Sequence, residues 1–233
     1  MRYLIWSYDY AHASGGPKVL HRLCHELNAV GQEAYIGNDY VTNPEWNTPH
    51  GSVDEDTIAV YPEVVSGNPW IARHVARWVL NVPGLLGGDT SYEPTEMVFS
   101  WDRTFLDGVP LLHLPGIELD IYTDRSLPRS GEMFYVGRGV RGDISGASEV
   151  TWEMRANRYA LAEKLNRATL LRCFDYVTAM KEIALLCGCP VVMPDGERLE
   201  PSGFRESYLA LWPVFRAQLA DFVRITQGVA VPA

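Results

Sequence analysis

The chain has 233 residues, of which 47% are hydrophobic and 21% charged, and a formal net charge of −9. That length buries a core as one large domain or two small ones, and the composition excludes a disordered chain or a coiled coil. The acidic balance argues against a general nucleic-acid binder, whose affinity comes from Lys and Arg neutralising phosphates, while leaving room for a local basic site for one small anion.

No apolar run approaches ~20 residues, so no membrane-spanning helix is expected. The opening MRYLIWSYDY turns polar too soon for a signal peptide. A soluble, cytoplasmic protein is the expectation.

In chain order, Tyr3 to Tyr8 reads as a buried strand, closed by AHASGGPK, with Pro17 suited to a first helical turn. Val19, Leu20, Leu23, Cys24, Leu27 and Val30 recur at the spacing of one helix face, Gly31 stops that helix, and EAYIG is a second strand. Residues 1–37 therefore form a strand, glycine loop, helix, strand unit, the opening of a Rossmann-like half.

Asn38 to Asp56, rich in Pro and Asn, reads as a long loop. Thr57 to Tyr61 is a third strand ending in Pro62-Glu63, and a helix is predicted from near Pro69 to Leu80. On that helix Arg73 and Arg77 would lie one turn apart, pairing with acids or binding an anionic acceptor. Met97–Trp101 and Leu111–Leu114 read as short strands, and Pro115-Gly116 is the candidate domain boundary.

The alternation then restarts. A strand at Met133–Val136 ends in GRG, followed by helix 155–167, strand 169–174, helix 178–187 and strand 189–193. A long amphipathic helix, Tyr208 to Thr226, closes the chain. It would serve either to tie the two halves together or to form a homodimer.

Cys24, Cys173, Cys187 and Cys189 fall on apolar faces or in apolar strands and read as buried reduced thiols, which fits a reducing compartment. Cys187-Gly-Cys189 lacks further ligands at zinc spacing. His113 is the one histidine placed near a presumed cleft, and a structural role is its simpler reading. Trp70, Trp78, Trp101 and Trp152 read as core or interface residues rather than a sugar platform.

Four pieces of the sequence resemble the GT-B glycosyltransferases, the class that includes the family 4 retaining enzymes. They are Ser14-Gly15-Gly16 before a helix; Val60-Tyr61-Pro62-Glu63 with Gly67-Asn68-Pro69; Phe134-Tyr135-Val136-Gly137-Arg138-Gly139; and FDYVTAMKEIALLCGCPVV, residues 174–192. The last is similar to the family's acidic helix motif, E-x7-E followed by a small-residue turn and Pro-Val-Val. Counting back from Gly188 places Ile183 where the family has its second glutamate, with Glu182 one residue earlier. A one-residue shift turns a side chain by about 100° on a helix.

The resemblance implies two Rossmann-like halves facing a cleft, with residues 1–116 on the acceptor side. Residues 117–233 would bind the nucleotide-sugar donor, with helix 208–226 packing back on the first half. It implies transfer of a sugar from a nucleotide-diphosphate donor to a glycan or small-molecule hydroxyl, without a bound metal or other cofactor, as in polysaccharide biosynthesis. Arg138 would grip the diphosphate, and Glu63 would orient or deprotonate the acceptor. Gly15, Gly16 and Gly137 would let backbone approach ligand, and Asp175, Thr178 and Glu182 would contact sugar or phosphate.

Each of these residues also has a plainer reading. Gly15 and Gly16 suit a tight turn, Asp175 and Thr178 suit an Asx turn and a helix cap, Arg138 suits the surface, and Glu63 suits a solvated or salt-bridged site. Two other functions compete. One is a degenerate GT-B-like module that binds nucleotide or glycan without turnover. The other is an NAD oxidoreductase, which lacks G-x-G-x-x-G and has its nearest strand-end acid late, at Asp39.

Overall fold

The structure is a computed structural model and describes residues 1–37 and 39–228; Asn38, in the predicted long loop, lies outside them. The elements are β1 (Arg2–Ile5), α1 (Gly15–Ala29), β2 (Ala34–Gly37), β3 (His50–Gly51), β4 (Thr57–Pro62), β5 (His74–Val79), β6 (Met97–Ser100), β7 (Glu132–Tyr135) and β8 (Ala147–Glu149). They continue with α2 (Trp152–Ala156), α3 (Arg158–Arg167), β9 (Leu170–Cys173), α4 (Met180–Leu186), β10 (Val191–Val192), β11 (Arg198–Leu199), α5 (Phe204–Leu209) and α6 (Leu211–Thr226). No helix among the described residues is long and apolar enough to cross a membrane.

The chain divides into two compact units, residues 1–116 with 212–233, and residues 117–211. The first is built on a six-stranded sheet in the order β3-β2-β1-β4-β5-β6, every pairing parallel. One face is covered by α1 through Leu20, Leu23, Cys24 and Leu27, and by α6 through Phe215, Leu219 and Phe222, all buried with Tyr3, Ile5 and Phe99. Full burial of such side chains contributes about 1.5–3 kcal/mol each, enough to fix the terminal helix on this unit. The other face carries a smaller cluster of Ala59, Tyr61, Val65, Ala72 and Val75, against which Trp6, Val64 and Trp70 pack without a covering helix.

The second unit has the strand order β11-β10-β9-β7-β8, parallel except for β10 against β11. Thr151 and Asn157 cap α2 and α3 through the Met154 and Ala160 N–H groups. Arg129 donates to the carbonyls of Leu165 and Ala168 at the end of α3, and of Cys187 at the end of α4, where a guanidinium meets the negative helix termini.

Residues 74–79, predicted as the end of a helix, form β5, and the segment before it is irregular. β5 runs between β4 and β6, and from Val75 to Val79 every residue is buried, so it reads as a nearly continuous apolar run. The run carries Arg77, fully buried. Its guanidinium pairs with Glu96 at 2.8 and 3.1 Å and donates to the carbonyls of Val65 at 2.6 Å and Gly67 at 2.7 Å. Tyr61 and Tyr92 lie against it at 5.3 and 5.1 Å. Arg73 and Arg77 are therefore not neighbours on a helix face.

Three smaller differences concern element ends. β1 ends at Ile5 rather than Tyr8; Leu111 makes only an isolated bridge to Ser100; and the closing helix breaks at Ala210 into α5 and α6. The four cysteines are free and buried, and burial pushes the Cys24, Cys187 and Cys189 thiols up to about 12.

Breaking a buried pair by removing one partner leaves an uncompensated charge. Glu96→Ala is thus expected to lower stability by about 3–5 kcal/mol, read as a fall in the urea midpoint. An unchanged midpoint would show that the carbonyls alone satisfy Arg77.

Candidate functional site

In open parallel sheets, ligands collect beyond the strand carboxyl ends where adjacent connections leave in opposite directions. In the second unit the chain leaves β7 toward β8 on one side, while β9 continues to β10 on the other. The loops at that divergence are 136–146 and 174–179, which carry Gly137, Arg138, Asp175 and Thr178.

The structure joins these two loops through one carboxylate. Asp175, buried, accepts from the Arg138 N–H at 3.1 Å through Oδ2 and from the Val177 N–H at 2.9 Å through Oδ1. Its backbone carbonyl accepts from the Cys173 thiol at 3.3 Å. Gly137 has φ 56°, and a Cβ there would strike the Asp175 carboxylate; a Cβ at Gly139 would strike the Phe174 carbonyl. The Gly-Arg-Gly turn lies directly on the strand end beside it.

Asp175 therefore performs the Asx-turn role and latches a second loop as well. Thr178 Oγ1 accepts from the Met180 N–H at 3.1 Å, the short side-chain turn that opens α4. The Arg138 guanidinium is exposed and makes no ion pair or hydrogen bond among the described residues. Arg141, also exposed, stacks over Phe134 at 5.2 Å.

On α4, Ile183 packs against the core of the second unit. Its neighbour Glu182 is half-buried with no partner among the described residues, and burial raises its carboxyl above the usual carboxylate range, with Lys181 opposing. The position that the family resemblance reserves for an acid is thus occupied by a core side chain.

In the first unit, the corresponding divergence lies between β1, which leads to β2, and β4, which leads to β5. α1 begins there at Gly15, with no side-chain cap from Ser14 and no acid in its first turn. Nothing lies within 4 Å of a Cβ at Gly15 or Gly16. Glu63, immediately after β4, is buried rather than solvated, and its Oε2 accepts from the Leu80 N–H at 2.9 Å just past the end of β5.

Among the sequence candidates, Gly137, Arg138 and Asp175 are in contact, with Thr178 on the same loop. Gly15, Gly16 and Glu63 lie at the carboxyl edge of the other sheet. His113 is half-buried, its ring 4.8 Å from Trp101 and its Nδ1 3.2 Å from the Trp101 carbonyl, which is a structural setting. Trp78 is fully buried with its indole N–H on the Leu112 carbonyl at 3.0 Å, while Trp152 is 54% exposed and not a core residue.

Sequence reasoning missed an aromatic ledge at the edge of the first unit. Tyr8, 55% exposed, lies 4.6 Å from Trp6 and 6.3 Å from Tyr40. Its loop is tied to the loop after β2 by Tyr10 N–H to Val41 O and Val41 N–H to Asp9 Oδ1. The signal was present in WSYDY, but carrying the strand on to Tyr8 concealed it.

The sequence matches no protein-family model and no curated protein.

Two outcomes test this geometry. Asp175→Ala removes two hydrogen bonds to a charged acceptor and is expected to cost about 3 kcal/mol, with faster amide exchange at both Arg138 and Val177. Exchange that changes at Val177 alone would show that Asp175 does not hold the Gly-Arg-Gly turn. For Glu182, a raised native pKa means that ionising the carboxyl costs stability as pH climbs from its unfolded value through its folded one. Glu182→Gln is expected to raise the melting temperature at pH 7–8, with the gain vanishing below pH ~4.

Proposed function

We propose that this protein is a metal-independent glycosyltransferase that takes a sugar from a nucleotide-diphosphate donor and passes it to an acceptor hydroxyl. The observation that carries the reading is the Gly137–Arg138–Gly139 turn. Its backbone is fixed at the divergence of β7 and β9 by Asp175, while its guanidinium extends without a partner among the described residues.

A preorganised cation is what such a reaction requires of a protein. The departing diphosphate gains negative charge, and the fixed turn brings to the strand end a guanidinium able to meet that charge with charge-assisted hydrogen bonds. Tyr176, 51% exposed on the loop that Asp175 shapes, offers an aromatic face for a base or sugar. In this reading Glu63, buried at the end of β4, orients the acceptor hydroxyl or takes its proton.

A second reading, a module that binds nucleotide or glycan without turnover, is favoured by Ile183, whose place in the core leaves α4 without an acid at that position.

Calorimetric titration with UDP, GDP, ADP, TDP, their sugars and NADH, with release of free sugar followed in parallel, separates the readings. Selective binding of one nucleotide diphosphate with slow donor hydrolysis supports the transferase. Arg138→Ala is then expected to weaken binding at least tenfold, by the loss of charge-assisted hydrogen bonds worth about 1.5–3 kcal/mol. Binding without hydrolysis, even with glycan acceptors added, supports the second reading. NADH alone binding, or none of these ligands, overturns both.

A further inference from the structure

The face of the first sheet that no helix covers carries a cavity of about 420 Å³ lined by Val53, Asp54, Glu55, Trp70, Ile71 and Arg73. These residues come from the segments leading into β4 and β5, and none of them is among the residues of the two candidate edges.

Its wall is strained and firmly held. Ile71 has φ 53° and is 89% exposed. A β-branched residue is unfavourable in the left-handed region, and such a conformation persists only where the surroundings over-determine it. Here they do. The Tyr61 hydroxyl donates to Asn68 Oδ1 at 3.1 Å and accepts from the Trp70 N–H at 3.0 Å. Asn68 also accepts from the Ala72 N–H at 3.1 Å and donates to the Ala72 carbonyl at 2.8 Å, while its own carbonyl accepts from the Ile71 N–H at 3.0 Å. The result thrusts an isoleucine into water at the lip of a cavity, a choice that folding alone would not favour.

Trp70 forms the wall beside it. The ring lies against Gly37, where any Cβ would collide with it, and 5.1 Å from Tyr61, so one end is braced while the side chain stays only half-buried. The rim opposes charges. The Arg73 guanidinium and the Glu55 carboxylate are exposed with no partner among the described residues, and Asp54 is tied to Arg2 at 2.5 Å and to the Thr57 hydroxyl at 2.6 Å.

We propose that this cavity binds a neutral sugar ring of a glycan. A pyranose has an apolar C–H face suited to an indole and to aliphatic side chains, and a rim of hydroxyls that both donate and accept. Glu55 accepts from such hydroxyls and Arg73 donates to them, so one ring satisfies both signs of charge. A phosphate or nucleotide would meet the two carboxylates, and a purely apolar ligand would strand three charged groups. The site goes beyond the transferase reading and does not rest on it; if both hold, it tethers the glycan to the first unit.

The test uses the full chain without nucleotide. Pentasaccharides of β-1,4-glucose, α-1,4-glucose and β-1,4-N-acetylglucosamine are titrated separately, with saturation-transfer NMR and calorimetry as readouts. At least one is expected to bind saturably at millimolar or tighter affinity. Glu55→Gln and Arg73→Ala, both exposed and compatible with folding, are each expected to weaken it at least fivefold, and Ile71→Gly to weaken it while leaving the melting temperature no lower. Failure of all three sugars, or binding that the rim variants leave unchanged, overturns the proposal. So does UDP or ATP competing for the site. None of these results depends on whether the protein transfers sugar.

Discussion

The first unit is organised around a charge inside a parallel sheet. Arg77 stands on a strand buried on both faces, where an unpaired guanidinium would cost far more than the sheet could recover. Its five N–H donors force neighbouring segments to come to it. Glu96 is drawn in from the β5–β6 connection, and the carbonyls of Val65 and Gly67 are drawn in from the connection between β4 and β5. That connection has no helix to give it shape, so the arginine supplies the shape. Glu63 is fixed at its start and the strained Asn68–Ala72 turn at its end.

A carboxylate plays the converse role in the second unit. Asp175 receives two backbone N–H groups from two different loops, so its negative charge holds chain. The residue that sequence reasoning offered as a ligand contact also holds the backbone of the Gly-Arg-Gly turn. Arg138, the neighbour it positions, keeps its side chain for something else. The two glycines flanking that arginine allow this, because the turn is pressed onto Phe174 and Asp175 too closely for any side chain.

Much of the site was legible locally. The glycine loop before α1, the Gly-Arg-Gly turn after β7, and the acid after β9 all follow strands, and in a parallel sheet the end of a strand is where ligands meet the chain. What misled was WIARHVARWVL, read as a helix from the turn and proline that precede it. A strand covered on both faces has apolar residues at nearly every position, so it satisfies a helical template as readily as its own. The same ambiguity extended β1 over Trp6 to Tyr8 and absorbed an exposed aromatic ledge into an imagined core.

By itself the sequence determined the α/β alternation, the α1 face, the buried thiols and the positions of the loops at the strand ends, because each is set by spacing and turn chemistry within a few residues. Only the tertiary structure decided that Arg77 is interior, that Asp175 is a latch, that Ile183 turns into the core beside Glu182, and that Ile71 is held outward at a cavity. Arg77 and Asp175 depend on partners 10 to 37 residues away along the chain and Ile183 on the packing of a whole face, while Ile71 depends on a turn tied back to Tyr61 on β4. No local pattern in a single sequence encodes which distant group will arrive to satisfy a buried charge.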